Sequence, residues 1–280
     1  MFHQKIDLYQ ECNVPRGNAK KGTLTAYISE EITEIKPKIR PAILVIPGGG
    51  YMMCSEREGE PIALRFVTNG YAAFVLDYEV NTKHPTPLLQ AAMAMKYLRE
   101  HAEELRIDPD HIAAIGFSAG GHLLGTLCLR SDDEAVRSAL GNVNVKPNAA
   151  VYSYAVISME HTTTHSSTRG VISGGDHNLA EYLSLEKAVT ESAPPSFIWT
   201  TADDALVPCE NSVLLASACA KQGVPYELHV FSHGRHGLAL ANTEVNDSYD
   251  TEGNLPEIAV WFSLAVTFLK NRGFEVVTKG

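Results

Sequence analysis

The sequence predicts an α/β fold, a mostly parallel sheet with helices on both faces. Three observations carry it. Apolar, strand-like runs alternate with stretches of helical periodicity along most of the 280 residues. Residues 42–46 are apolar without a break, as a strand buried on both faces must be. The run Ile112-Ala113-Ala114-Ile115-Gly116 passes directly into Phe117-Ser118-Ala119-Gly120, so a strand, a sharp turn and a helix start share one stretch.

The elements follow in order. Near the N-terminus, Thr23, Thr25 and Tyr27 alternate with Leu24, Ala26 and Ile28, which predicts an antiparallel strand over 22–28. Residues 42–46 are the first buried strand, and 62–68 have helical spacing. Residues 72–76 form the next strand, 88–105 a long helix and 112–115 the strand before Ser118. Further strands are predicted at 149–152, 196–199 and Tyr226–Phe231. A helix over 209–222 is closed by Gly223, and a C-terminal helix covers 256–269. No repeat or linker divides the chain, so one domain over 1–280 is expected. Residues 155–195 break the rhythm with a long polar stretch rich in Ser and Thr. An insertion of that length between core strands is expected to form a small cap over a functional site.

Composition narrows the function. The chain is 45% hydrophobic and 20% charged, with a formal charge of −10. That surface repels phosphate backbones and anionic bilayers, so neither nucleic acid nor membrane is an expected partner. Five cysteines, with no Cys-x-x-Cys among them, suit reduced thiols in a cytosolic protein. The opening Met1-Phe2-His3-Gln4-Lys5-Ile6-Asp7 lacks a basic segment followed by an apolar core. A cytoplasmic location is therefore expected.

The chemistry centres on Ser118. Gly116-Phe117-Ser118-Ala119-Gly120 is a Gly-x-Ser-x-Gly turn between strand and helix, which exposes one hydroxyl at a helix N-terminus. A serine hydroxyl needs a base, and the base needs a carboxylate to orient it. The acid should follow a late strand, where Asp203-Asp204-Ala205-Leu206-Val207-Pro208 stands. Asp204 is preferred by its spacing to Val207-Pro208, with Asp203 bracing the turn. The histidine should follow the last strand, where Ser232-His233-Gly234-Arg235-His236-Gly237 stands. His236, flanked by glycines, is preferred over His233, and His229 lies within the strand itself. Acyl transfer also needs donors for an oxyanion. One is the amide of Ala119, and the others should come from Gly48-Gly49-Gly50 after the first buried strand. Tyr51, Met52 and Met53 follow these glycines and are expected to line the acyl pocket, packing of the loop being the other reading. A nucleotide-binding role for the glycines is disfavoured, because the third position of Gly-x-Gly-x-x-Gly falls on Met53.

Taken together, these residues resemble the α/β-hydrolase superfamily, and within it the hormone-sensitive-lipase-like esterases. The similarity is nearest to bacterial acetyl esterases and acetyl-xylan-esterase-like carboxylesterases, from about residue 20 to 270. Pro47-Gly48-Gly49-Gly50-Tyr51 resembles their His-Gly-Gly-Gly loop, with Pro47 in place of the histidine. Ser55 to Pro61, Gly116 to His122, the Asp204 loop and Gly234 to Gly237 are shared as well. The resemblance implies an α/β-hydrolase fold, a triad of Ser118, Asp204 and His236, and oxyanion donors at Gly49, Gly50 and Ala119. It implies hydrolysis of short acyl esters, acetyl above all, of sugars or simple alcohols, with no cofactor and no metal. Related esterases often self-associate, so a homo-oligomer is compatible with the sequence.

Three alternatives stand beside this expectation. A metal-dependent hydrolase would use His161 and His165, but the intervening threonines are poor helix formers and no Glu follows His161. A peptidase or amidase on the same fold lacks a large gating domain here. A non-catalytic small-ligand binder would leave filled triad positions idle.

Overall fold

The structure, a computed structural model, describes residues 1–160 and 163–279. Among the described residues the strands are β1 (Phe2–Asp7), β2 (Thr23–Ile28), β3 (Lys38–Ile46), β4 (Ala72–Asp77), β5 (Ile107–Phe117), β6 (Ala149–Ser153), β7 (Ser196–Thr201), β8 (Tyr226–Phe231) and β9 (Val277–Thr278). The sheet order is β1-β2-β4-β3-β5-β6-β7-β8, and β9 pairs with the start of β3. β1 and β2 run antiparallel, and from β4 to β8 every neighbouring pair is parallel. The chain goes outward from β3 to β4 and then returns past β3 to β5. The strand order therefore reverses between β3 and β5, and a crevice opens at their carboxyl ends. The loop after β3 carries the glycines, and the loop after β5 carries Ser118.

The helices are α1 (Leu8–Glu11), α2 (Glu60–Val67), α3 (Thr86–Glu100), α4 (Ser118–Leu129), α5 (Glu134–Leu140), α6 (Ser166–Ser173), α7 (His177–Tyr182), α8 (Glu210–Lys221), α9 (Pro256–Ala259) and α10 (Trp261–Lys270). β3 shows why both faces are covered. Ala42, Leu44 and Ile46 pack with the side chains of α3 and α4, while Ile43 and Val45 pack with those of α2 and α10. The alternation along one strand thus feeds two cores. Phe66 of α2 lies fully buried, 4.8 Å from Phe262 and 5.2 Å from Tyr71 between ring centroids. Truncating such a ring to alanine costs about 3–5 kcal/mol.

Three of the departures from the expected pattern concern helices. The helix expected over 88–105 ends at Glu100, and the chain turns through Arg106 at positive φ into β5. The C-terminal helix is divided at Val260, where the indole N–H of Trp261 donates to the carbonyl of Ala239 at 2.9 Å. α5, capped by the Asp133 carboxylate, is too short to show a period in the sequence. Residues 155–195 carry α6, α7 and a 3₁₀ turn at Leu185–Lys187. This insertion is tied to the sheet domain by buried Asn211, whose Oδ1 accepts from the amides of Ile157 and Ser158.

Candidate active site

Ser118 sits where β5 becomes α4, with φ of 51°. That left-handed turn is sterically costly for a residue with a Cβ, and it lifts the hydroxyl out of the strand line. The turn needs close approach beneath it. A Cβ on Gly120 would lie 2.3 Å from the carbonyl oxygens of Ile46 and Pro47, so only glycine lets α4 pass under the end of β3.

The three loops converge. Ser118 Oγ lies 2.8 Å from His236 Nε2, and His236 Nδ1 lies 2.7 Å from Asp204 Oδ2. The carboxylate accepts, so Nδ1 carries the proton and Nε2 is left to accept from the serine hydroxyl. The Asp204 side chain is fully buried, and its Oδ1 accepts from the amides of Leu206 and Val207 at 2.9 Å each. Asp203 faces the other way. Its Oδ1 accepts from the amide of Gly234 at 2.7 Å and so fastens the histidine loop. His233 pairs with Glu257 at the surface, and His229 lies against Phe197 beside Glu227. Neither approaches Ser118 by any contact among the described residues.

The glycine loop lies alongside. Gly49 has φ of 123°, and a Cβ there would meet the Met53 carbonyl at 2.3 Å. The amides of Gly49, Gly50 and Ala119 are free of hydrogen bonds among the described residues. The Gly48 amide is taken, because it donates to Glu58 Oε2 at 2.8 Å. Tyr51 does not line a pocket. It is 1% exposed, and its hydroxyl lies 2.9 Å from His122 Nδ1. Its ring completes the core because its hydroxyl has a buried partner there. Met52 and Met53 point outward, 47% and 55% exposed.

His122 sits in α4 directly behind Ser118. Its Nε2 contacts the carbonyl of Leu183 at 3.0 Å, so Nε2 carries the proton and Nδ1 accepts from Tyr51. Burial pushes its pKa down to about 4. This neutral ring joins the glycine loop, α4 and the insertion. The insertion also reaches the site through His165. A Cβ on Gly50 would meet His165 Cε1 at 3.7 Å, while His165 Nδ1 is 2.8 Å from Thr168 Oγ1. Burial, and then the neighbouring His236, push the pKa of His165 down. His161, its companion in the metal reading, lies outside the described residues. Among the described residues, no three His, Cys, Asp or Glu side chains converge as a metal-ligand set.

The chain matches the BD-FAE family over residues 32–219, which is more than half its length. The chain belongs to the BD-FAE family. Endo-1,4-β-xylanase B of Butyrivibrio fibrisolvens is 38% identical to it across 87% of this chain and 39% of that protein. The acetylxylan esterase of Xylanibacter ruminicola is 31% identical across 71% of this chain and 41% of that protein. This BD-FAE member therefore spans about two-fifths of the length of these curated relatives. Two of the solved structures that match do so over almost the whole chain. The acetyl ester-xyloside bifunctional hydrolase of Caldicellulosiruptor lactoaceticus is 36% identical, with a TM-score of 0.81 and 97% of both chains covered. The carboxylesterase Cest-2923 of Lactobacillus plantarum is 26% identical, with a TM-score of 0.85 and 98% and 99% covered.

The contacts of two further residues at this BD-FAE site had no signal in the sequence, although Arg57 lies within the Ser55 to Pro61 stretch. Arg57 donates from Nη2 to the carbonyl of Gly237 and from Nε to that of Val245, so it anchors the chain just after His236. Asn211, at the start of α8, joins the insertion to the Pro208 carbonyl at the end of the Asp204 loop. Each stands in a polar stretch that a sequence presents only as solvated surface. No helix among the described residues is long and apolar enough to cross a membrane.

Proposed function

We propose that the protein hydrolyses short-chain acyl esters, of the acetyl type, of sugars or small alcohols, through an acyl-enzyme on Ser118. The observation that carries this reading is the line from Ser118 Oγ to His236 Nε2 at 2.8 Å and from His236 Nδ1 to Asp204 Oδ2 at 2.7 Å. His236 Nε2 takes the proton as Ser118 Oγ attacks the ester carbonyl carbon. The carbonyl π pair moves onto oxygen, where the amides of Gly49, Gly50 and Ala119 hold the negative charge. The tetrahedral species collapses, the bond to the alcohol oxygen breaks, and His236 returns its proton to that oxygen. Water then repeats the sequence on the acyl-enzyme. Its proton passes through His236 to Ser118, and the carboxylic acid leaves. Asp204 stays ionised and stabilises the imidazolium throughout.

The acetyl-sugar part of the reading draws on the acetylxylan esterase and the acetyl ester-xyloside hydrolase that the chain resembles. Met52 and His165 both stand against Gly50, at 3.1 and 3.7 Å from a Cβ placed there, and would border a small acyl group. A cytosolic setting belongs to the same proposal, supported by five free cysteines. The test is hydrolysis of p-nitrophenyl acetate, butyrate and octanoate, and then release of acetate from acetylated xylo-oligosaccharides, by wild type and Ser118→Ala. Activity steepest on acetate and lost in the variant supports the reading. Activity that survives the substitution overturns it, and cleavage of anilides alone moves the assignment to an amidase.

A further inference from the structure

Beneath the site lies a carboxylate that the mechanism above does not use. Glu58 is 5% exposed and stands between the two halves of the machinery. Its Oε2 accepts from the amide of Gly48, at the base of the glycine loop, at 2.8 Å. Its Oε1 accepts from the hydroxyl of Tyr154 at 2.7 Å. Tyr154 follows β6 with φ of 38°, and its oxygen in turn accepts from the amide of Ala239 at 2.9 Å, three residues beyond His236. The Tyr154 ring meets the His236 ring edge-on at 5.0 Å between centroids, with Trp199 on another side at 5.0 Å. The Gly48 amide and the Tyr154 hydroxyl point to the Glu58 oxygens, and the Ala239 amide points to the Tyr154 oxygen. The carboxylate thus accepts two of these protons, one on each oxygen, and the Tyr154 oxygen accepts the third. Such a buried group is retained only at a cost in desolvation, which sets it apart from an ordinary surface glutamate.

Resting on the serine-esterase reading above, we infer that ionised Glu58 is a positioning residue for the reaction. It fixes the glycine loop through Gly48 and the His236 ring through Tyr154, and its charge favours the imidazolium that forms as Ser118 attacks. Glu58 touches neither substrate nor the reacting atoms, so it acts through these neighbours. The other charged or titratable groups around it are accounted for. The Arg57 guanidinium is turned to Gly237, Val245 and Asn246, and the Tyr78 hydroxyl donates to the Pro47 carbonyl. Asp204 holds His236 from the loop after β7, and His165 faces it from the insertion. Burial raises the pKa of Glu58, while Tyr154, Gly48 and then His236 and Arg57 oppose that rise.

The test uses the full chain with Glu58→Gln, Tyr154→Phe and Ser118→Ala, measuring melting temperature and the pH profiles of kcat and kcat/KM on p-nitrophenyl acetate. Glu58→Gln removes the charge and keeps the shape. Its kcat should fall about tenfold or more with KM little changed. Its acid limb should move to lower pH by about half a unit, because the imidazolium loses a neighbouring negative charge. Tyr154→Phe keeps the charge and removes a hydroxyl that partly neutralises it, so the Glu58 carboxylate favours the imidazolium more strongly and the acid limb should move to higher pH. A merely structural role lowers the melting temperature and moves neither limb. Coincident acid limbs in wild type and both variants would overturn the proposal. Should Glu58→Gln fail to fold, the direction of the Tyr154→Phe shift decides alone. Ser118→Ala separates the two levels: activity surviving in it removes the esterase reading itself, whereas lost activity with unmoved limbs removes only the role of Glu58.

Discussion

Asp203 and Asp204 are adjacent in the chain and grip opposite parts of the histidine loop: Asp204 Oδ2 meets His236 Nδ1, and Asp203 Oδ1 meets the Gly234 amide. One neighbour serves the ring and the other serves the backbone that carries it. Asp204→Asn would present an amide to Nδ1 and favour the wrong tautomer, so kcat should fall about ten-thousandfold. Asp203→Asn keeps an acceptor for Gly234 and should cost less than about tenfold, since one hydrogen bond is worth about 1 kcal/mol. Steady-state kinetics of the two variants on one ester check the order. A reversed order would move the triad carboxylate to Asp203.

Gly49→Ala tests the oxyanion loop. The substitution places a Cβ 2.3 Å from the Met53 carbonyl at a φ of 123°, so the loop must shift. The expected result is a fall in kcat of about a hundredfold or more, with KM changed far less, because the lost contact exists chiefly in the transition state. An equal rise in KM with kcat intact would mean the loop binds ground-state substrate instead.

The loops that carry Ser118, Asp204 and His236 were legible because each lies at the carboxyl end of a strand and is punctuated by glycine or proline. Gly116 and Gly120, Val207-Pro208, and Gly234 and Gly237 mark the turns, and all three turns meet in the structure. Tyr51 was not legible. Its burial depends on His122, 71 residues away, and no local pattern reports that pairing. Glu58 lies in the Ser55 to Pro61 stretch that resembles the family, yet its burial was not legible, since its partner Tyr154 is 96 residues distant. His165 drew attention through its spacing to His161, yet its described partners are Thr168 and the neighbourhood of Gly50. Sequence spacing shows which residues share a helix face; it does not show what a loop folds against.

His122 makes a prediction about acid stability. Burial lowers its pKa to about 4 in the fold, against about 6.5 in an unfolded chain. The unfolded state therefore binds the extra proton between those values. The contribution of this group to stability is complete above about pH 6.5 and is lost as the pH falls toward 4. From pH 7 to pH 5 the loss should be about 2 kcal/mol. His122→Asn, which removes the titration, should flatten that part of the pH dependence in urea unfolding. An unchanged slope in the variant would show that other groups govern it.

Met52 is exposed beside Gly50, and its methyl group would lie 3.1 Å from a Cβ there. Met52→Ala should open the space next to the oxyanion loop. The expected effect is a rise of about threefold to tenfold in the octanoate-to-acetate ratio of kcat/KM, as one pocket methylene is worth about 1 kcal/mol or more. A constant ratio across acetate, butyrate and octanoate would place the acyl chain elsewhere.

The most direct measurement of the central claim is covalent trapping. The wild type and Ser118→Ala are treated with an organophosphonate, and the adduct is located by peptide mass spectrometry while ester hydrolysis is followed. The account requires one adduct per chain, on Ser118, formed in proportion to lost activity and absent from the variant. An adduct on another residue, or full activity with Ser118 completely labelled, would contradict it.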